Sequence, residues 1–303
     1  MIPDFPSEDQ VIPILKPVKV KYVFHTLSEA FGANHKLMGI DKLWKKTKGA
    51  GIKVAVLDTG VPSHPDIRVA GGKSFVKGYY TDLNGHSTHI GGVLNAIEGN
   101  GIGIVGIAPE AEVWYGAVMG EDGSGSIKSI VDGIYWAVDE VHADVVNMSL
   151  GIADTPFEFP SLRKACDYAE SKGVAIFAAA GNESGNVGQP ARYPSTISVG
   201  AVSNRMKHAD FSNTGASVDF VSVGVDVYST WLNGGYCCLD GTSMACPAVA
   251  GFGVLVLAEA RLRGENLTPQ QLKEKIAGTA RDLGTPGKDV VFGFGFPQAE
   301  GLA

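Results

Sequence analysis

Short apolar runs recur along this chain with helical stretches between them, and that alternation restricts its fold more than any other feature. The runs cover residues 52–57, 113–118, 144–150, 174–180 and 196–202. Helical patterning fills 87–97, 127–141 and 161–172, and returns at 243–262 and 269–280. A run that is apolar at nearly every position has no face to offer water, so it predicts a strand covered on both sides. Strands joined by helices cross over to parallel neighbours in a right-handed sense. The fold class that follows is α/β: a doubly wound, mainly parallel sheet with helices on both faces. Ligands of such sheets bind at the carboxyl ends of the strands, so the residues just after each apolar run carry the interest.

The other bounds are broad. A 303-residue chain with 45% hydrophobic and 19% charged residues suits one domain with a large core. No apolar run reaches the ~20 residues of a membrane span, so no membrane partner is expected. Pro3, Pro6, Pro13 and Pro17 break regular structure early on, and 18–24 reads as a short edge strand. The expected division is a leader over 1–38 and one domain over 39–303. The net charge of −7 argues against a nucleic-acid partner. It is uneven: residues 1–53 hold nine Lys against five acids, a local +4, leaving −11 on the rest. A basic leader docking on an acidic body and plainly solvated lysines are both open readings. The opening MIPDFPSEDQ lacks the basic start of a secretory signal. Cys166, Cys237, Cys238 and Cys246 show no zinc spacing, so free thiols in the cytoplasm are the simplest expectation.

Three residues at strand or helix ends have the types that nucleophilic serine chemistry needs: a carboxylate, an imidazole and a hydroxyl. Asp58 closes the run 52–57 and precedes Thr59-Gly60; a helix cap or a metal ligand is its bland alternative. His86 and His89 lie three apart where a loop enters a helix, which also allows a metal pair, though the H-E-x-x-H pattern is missing. Ser243 opens the apolar stretch 243–262 within Gly241-Thr242-Ser243-Met244-Ala245, near the G-x-S-x-G elbow of α/β-hydrolases. Chain order separates the readings. An α/β-hydrolase needs its His after the Ser, and the last histidine here is His208. The chymotrypsin order, His then Asp then Ser, belongs to an all-β chain. Asp58, then His86, then Ser243 is the order that remains.

The segments Val56-Leu57-Asp58-Thr59-Gly60, Asn84-Gly85-His86-Ser87-Thr88-His89 and Gly241-Thr242-Ser243-Met244-Ala245 resemble the three signature blocks of the subtilisin-like serine peptidases. The likeness runs from about residue 40 to the end, and in layout it is nearest to intracellular subtilisins. The resemblance implies the subtilisin-like three-layer fold and a serine endopeptidase with the triad Asp58, His86 and Ser243. A fourth block, Ala178-Ala179-Ala180-Gly181-Asn182-Glu183, resembles the oxyanion-hole segment, so Asn182 would donate its NH₂ to the oxyanion beside the Ser243 amide. By the same likeness, Gly123-Ser124-Gly125 and Ser149-Leu150-Gly151 would clamp a polypeptide substrate as an added strand. Ala179, Ala180, Gly181 and Gly188 would line the first side-chain pocket. Their small size favours a large apolar side chain, and Glu183 at the rim would favour Lys or Arg.

The resemblance also implies a structural Ca²⁺ held by Asp66, Asn100 and the carbonyls of Ile102 and Ile104, oxygen ligands that suit this ion. Ser87 departs from the family pattern, which has Gly after the histidine, and Ala248 from the His often found after Pro247. The leader, with Val11-Ile12-Pro13-Ile14, resembles the short pro-segment of intracellular subtilisins. A self-processed zymogen follows as an expectation, with residues 1 to about 25 as its own inhibitor. The alternative is a dedicated processing peptidase or peptide ligase of the same fold, and a homodimer is left open.

Overall fold

The computed structural model describes residues 7–16, 19–24 and 28–302. The N-terminal part contains β1 (Ile12–Pro13), β2 (Val23–Phe24), α1 (Ala33–Met38) and α2 (Ile40–Trp44). Next come β3 (Lys53–Asp58), β4 (Gly71–Ser74), α3 (His86–Asn95), β5 (Glu112–Ala117), β6 (Ser124–Gly125) and α4 (Ile127–Asp139). Then follow β7 (Val145–Met148), α5 (Pro160–Ser171), β8 (Ala175–Ala179), β9 (Thr196–Val202) and β10 (Phe220–Val223). The chain closes with β11 (Val227–Trp231), β12 (Gly235–Leu239), α6 (Thr242–Leu262) and α7 (Pro269–Ala277).

Seven parallel strands form the central sheet in the order β10-β9-β8-β7-β3-β5-β4. Successive side chains of a strand point to opposite faces, and β3 divides accordingly. Val54 and Val56 enter one core with Leu94 and Phe252, from α3 and α6. Ala55 and Leu57 enter the other with Ile130 and Leu162, from α4 and α5. This double burial is why the run carries no polar alternation. The sheet order turns at β3, which has β5 on one side and β7 on the other. Asp58, the last residue of β3, therefore stands at a topological switch point, where open α/β sheets place their ligands.

Four features differ from the sequence reading or sharpen it. The stretch expected to be irregular up to residue 38 ends in α1, with Met38 fully buried. β11 and β12 form an antiparallel hairpin, and β2 adds a third strand to it through Val23 opposite Cys237. Pro17, Val18 and His25 lie outside the described residues, so the strand expected over 18–24 is seen only as β2. α6 is 21 residues long and apolar enough to cross a membrane, but its apolar stretch is wholly buried in this fold.

Candidate active site

Asp58 is fully buried. Its Oδ1 accepts from the Thr59 N–H at 2.7 Å and from His86 Nδ1 at 2.8 Å. That bond places the Nδ1 proton toward the carboxylate and leaves Nε2 free to act as a base. His86 is the first residue of α3, entered through Gly85 at φ 96°. A Cβ on Gly85 would lie 2.6 Å from the Trp231 ring, so only glycine fits this approach. Burial alone would lower the His86 pKa, but the charge and hydrogen bond of Asp58, aided by Asp82, hold it above the ordinary imidazole value. His89 points elsewhere: its buried Nε2 donates to the Val227 carbonyl at 3.0 Å, and burial lowers its pKa to about 3. Among the described residues no three His, Cys, Asp or Glu side chains gather as a metal cluster, so the two histidines have no such company.

Ser243 is the second residue of α6, after Gly241 at φ 156°. It lines one cleft with His86, Asn182 and Met244. Its hydroxyl donates to the Ser149 carbonyl at 2.9 Å rather than to His86, and a proton transfer to the imidazole would require it to turn. Resting sites often show such loose geometry. Asn182 follows β8 closely. Its Oδ1 accepts from the Thr242 N–H at 2.8 Å and from the Thr242 hydroxyl at 3.0 Å. With the oxygen fixed there, the NH₂ is the end left for a ligand. Thr242 was not singled out in the sequence, because its only visible signal was adjacency to Ser243.

The groups read as substrate-binding meet the leader. Ile12 and Pro13 pair antiparallel with Gly125 and Ser124, and the Leu15 N–H donates to the Gly123 carbonyl at 3.1 Å. Leu15 and Lys16 then enter a pocket with Leu150, Gly151, Ala179, Ala180, Gly181 and Gly188. Lys16 Nζ donates to the Asn182 carbonyl at 2.6 Å and lies 3.3 Å from Glu183. Farther along, Lys21 pairs with Asp226 and, at 2.9 Å, with Asp240. The basic leader thus meets acids of the body at two places, Glu183 and the neighbouring Asp226 and Asp240. Such half-exposed pairs are worth little each; they set direction more than strength.

The four residues read as calcium ligands also come together. The Asp66 carboxylate, fully buried, accepts from Asn100 Nδ2 at 2.6 Å, the Ile104 N–H at 3.1 Å and the Tyr236 hydroxyl at 3.1 Å. Asn100 Oδ1 accepts from the Ile102 N–H at 3.0 Å. As arranged, Asn100 turns its NH₂ rather than its oxygen toward Asp66, so this donor set fits a cation only with that amide reversed.

A buried carboxylate–imidazole pair and a helix-initial serine on one cleft, at the carboxyl edge of a doubly wound sheet, define a serine hydrolase. Residues 49–295 match the Subtilase family. The chain is 41% identical to Subtilisin DY of Bacillus licheniformis over 245 residues, spanning 78% of this chain and 86% of that protein. It is also 41% identical to Subtilisin Savinase of Lederbergia lenta over 256 residues, spanning 83% and 90%. Subtilisin E of Bacillus subtilis (strain 168) matches at 41% over 245 residues, spanning 78% and 62%. The chain belongs to the Subtilase family and is a serine endopeptidase of the subtilisin type.

Proposed function

We propose that Asp58, His86, Ser243 and Asn182 perform the acyl transfer, and that the leader holds the enzyme latent until it is cut. His86 Nε2 takes the Ser243 proton as Oγ attacks the scissile carbonyl. Asp58 holds the tautomer and stabilises the imidazolium. The Asn182 NH₂ and the Ser243 N–H receive the oxyanion. His86 then protonates the leaving amine, and water releases the acyl group by the same route. The observation that carries this reading is the 2.8 Å bond between His86 Nδ1 and Asp58 on a cleft shared with Ser243 and Asn182.

Latency rests on a second observation: Ile12–Lys16 follows the path of an added substrate strand across Ser124–Gly125. Lys16 would then stand in the first side-chain pocket beside Glu183. Its methylenes suit the small apolar walls and its ammonium suits the acid, so a basic side chain is favoured over the apolar one that the walls alone would choose. Four unpaired thiols support the cytoplasm as the setting. A structural Ca²⁺ at Asp66 would require Asn100 to rotate its oxygen inward, and melting curves in EDTA and in Ca²⁺ read that directly.

The test uses the full chain and Ser243→Ala, with an unstructured protein as substrate and a fluorophosphonate as label. The expected result is substrate cleavage and labelling by wild type, loss of its first residues by intact mass, and an untouched chain in Ser243→Ala. A labelled enzyme that leaves the protein uncut would instead favour a dedicated processing peptidase or ligase. Wild type that stays full-length yet fully active would sink the latency.

A further inference from the structure

Beside the triad lie two buried groups that the proton transfers do not use, the Ser87 hydroxyl and the Asp82 carboxylate. Ser87 is fully buried. Its Oγ donates to the Gly60 carbonyl at 2.6 Å and its N–H donates to Thr59 Oγ1 at 3.1 Å. Thr59 and Gly60 directly follow Asp58, and Ser87 directly follows His86. The residue after the imidazole is therefore bonded to both residues after the carboxylate.

Asp82 extends the same contact. Oδ1 accepts from the Thr59 hydroxyl at 2.9 Å, the Gly85 N–H at 2.9 Å and the Asn84 N–H at 3.1 Å. Oδ2 accepts from the Thr88 N–H at 2.8 Å and the Thr88 hydroxyl at 2.6 Å. A carboxylate this deeply buried persists only when donors satisfy it, and here five do. All come from the end of β3 or from the turn into α3. The His86–Asp58 distance depends on how far apart those two segments stand, and a single side-chain bond is a poor control of that separation. A glycine at 87, as in the family pattern, could not bond to Gly60.

We propose that Ser87 and Asp82 are positioning residues for the known reaction: a buried brace that holds the start of α3 against the end of β3 and so sets the alignment of His86 on Asp58. The proposal rests on the triad assigned above. Asp82 acts by charge as well, since its carboxylate favours the imidazolium. The other titratable or charged groups around His86 are Asp58, the buried His89, and Lys16, Lys19, Lys21 and Asp240 along the cleft. None of these changes in the variants below.

Wild type, Ser87→Ala and Asp82→Asn, each expressed as the full chain and brought to the same intact mass after any loss of the leader, are compared by the rate at which a fluorophosphonate labels Ser243 between pH 5 and 10. Rates are taken per site labelled at the end point, so a misfolded fraction does not count. Loss of alignment should slow Ser87→Ala roughly tenfold, with the acid limb unmoved because no charge changes. Asp82→Asn should also slow, and its acid limb should move to lower pH, because a group that favours the imidazolium has gone. On a peptide substrate the loss should appear in kcat, with KM steady. Wild-type rates and limbs in both variants would overturn the brace, as would a rise in KM alone. Labelling that survives Ser243→Ala would overturn the triad and the brace with it.

Discussion

Ser149 and Ser243 clasp one another: each hydroxyl donates to the other's backbone carbonyl at 2.9 Å. The reason lies four residues further on. The carbonyl of Ser243 would ordinarily accept from the N–H of residue 247, but that residue is Pro247, inside α6 and without an N–H. The Ser149 hydroxyl supplies the missing donor, and in doing so fastens the strand end at β7 to the helix that carries Ser243.

Removing that donor should therefore cost stability. Ser149→Ala is expected to destabilise by about 1–3 kcal/mol, the cost of leaving a buried acceptor unmet. In a Pro247→Ala background the new N–H can serve the carbonyl, so the same change should cost less. Urea unfolding of the four chains closes the cycle, and additive effects would contradict the clasp.

Turnover should separate the roles at the cleft. Ser243→Ala and Asp58→Ala should lower kcat by on the order of 10⁶ and 10⁴, the magnitudes established for subtilisin itself. Asn182→Ala should cost about 10²–10³ with KM nearly constant, again by the subtilisin precedent. A KM effect without a kcat effect at Asn182 would remove it from the oxyanion site.

The pH profile follows from His86. Its pKa is raised, and only neutral imidazole can accept the Ser243 proton, so the acid limb of kcat/KM should lie above pH 6.5. Replacing Asp58 by Asn should bring the residual activity's limb downward, because the main group that raises the value has gone. An acid limb below 6.5 in the wild type would contradict this.

Acid stability has a different source. Burial lowers the His35 pKa to about 4, and its Nε2 lies 3.2 Å from the Gly106 carbonyl. A lowered histidine is neutral in the fold while the unfolded chain binds a proton. Its stabilisation is complete above pH 6.5 and is lost as pH falls toward 4. His35→Gln, which keeps a donor for Gly106, should flatten unfolding free energy across that window when measured in the inactive Ser243→Ala chain.

Much of the fold was legible because the sheet is buried on both faces: β3, β5, β7, β8 and β9 lie in mostly apolar stretches, with polar residues such as Lys53, Asn147 and Ser198 too few to make an alternating pattern. The candidate site was legible through chain order, which left Asp58, His86 and Ser243 as the one arrangement of the three, and the structure joins His86 to Asp58 on a cleft shared with Ser243. The β11–β12 hairpin escaped because Val227–Trp231 and Gly235–Leu239 mix apolar and polar residues without clean alternation. Its turn residues, Asn233 and Gly234 at φ 58° and 70°, were the available signal. Asp82 could not be found in one dimension, since its importance comes from five donors converging after folding. Lys16 was visible only as one charge among nine lysines until the leader's path placed it beside Glu183.

The pairing of β1 with β6 spans two residues on each side, too few to hold a free peptide. On the same chain, the segment meets the cleft at an effective concentration that short tethers place in the millimolar range, whatever the dilution of the protein. Latency under the proposed scheme would therefore be independent of how much enzyme is made. A single cut on the connecting stretch would drop the inhibitor to its bulk concentration, which turns a reversible contact into a one-way release.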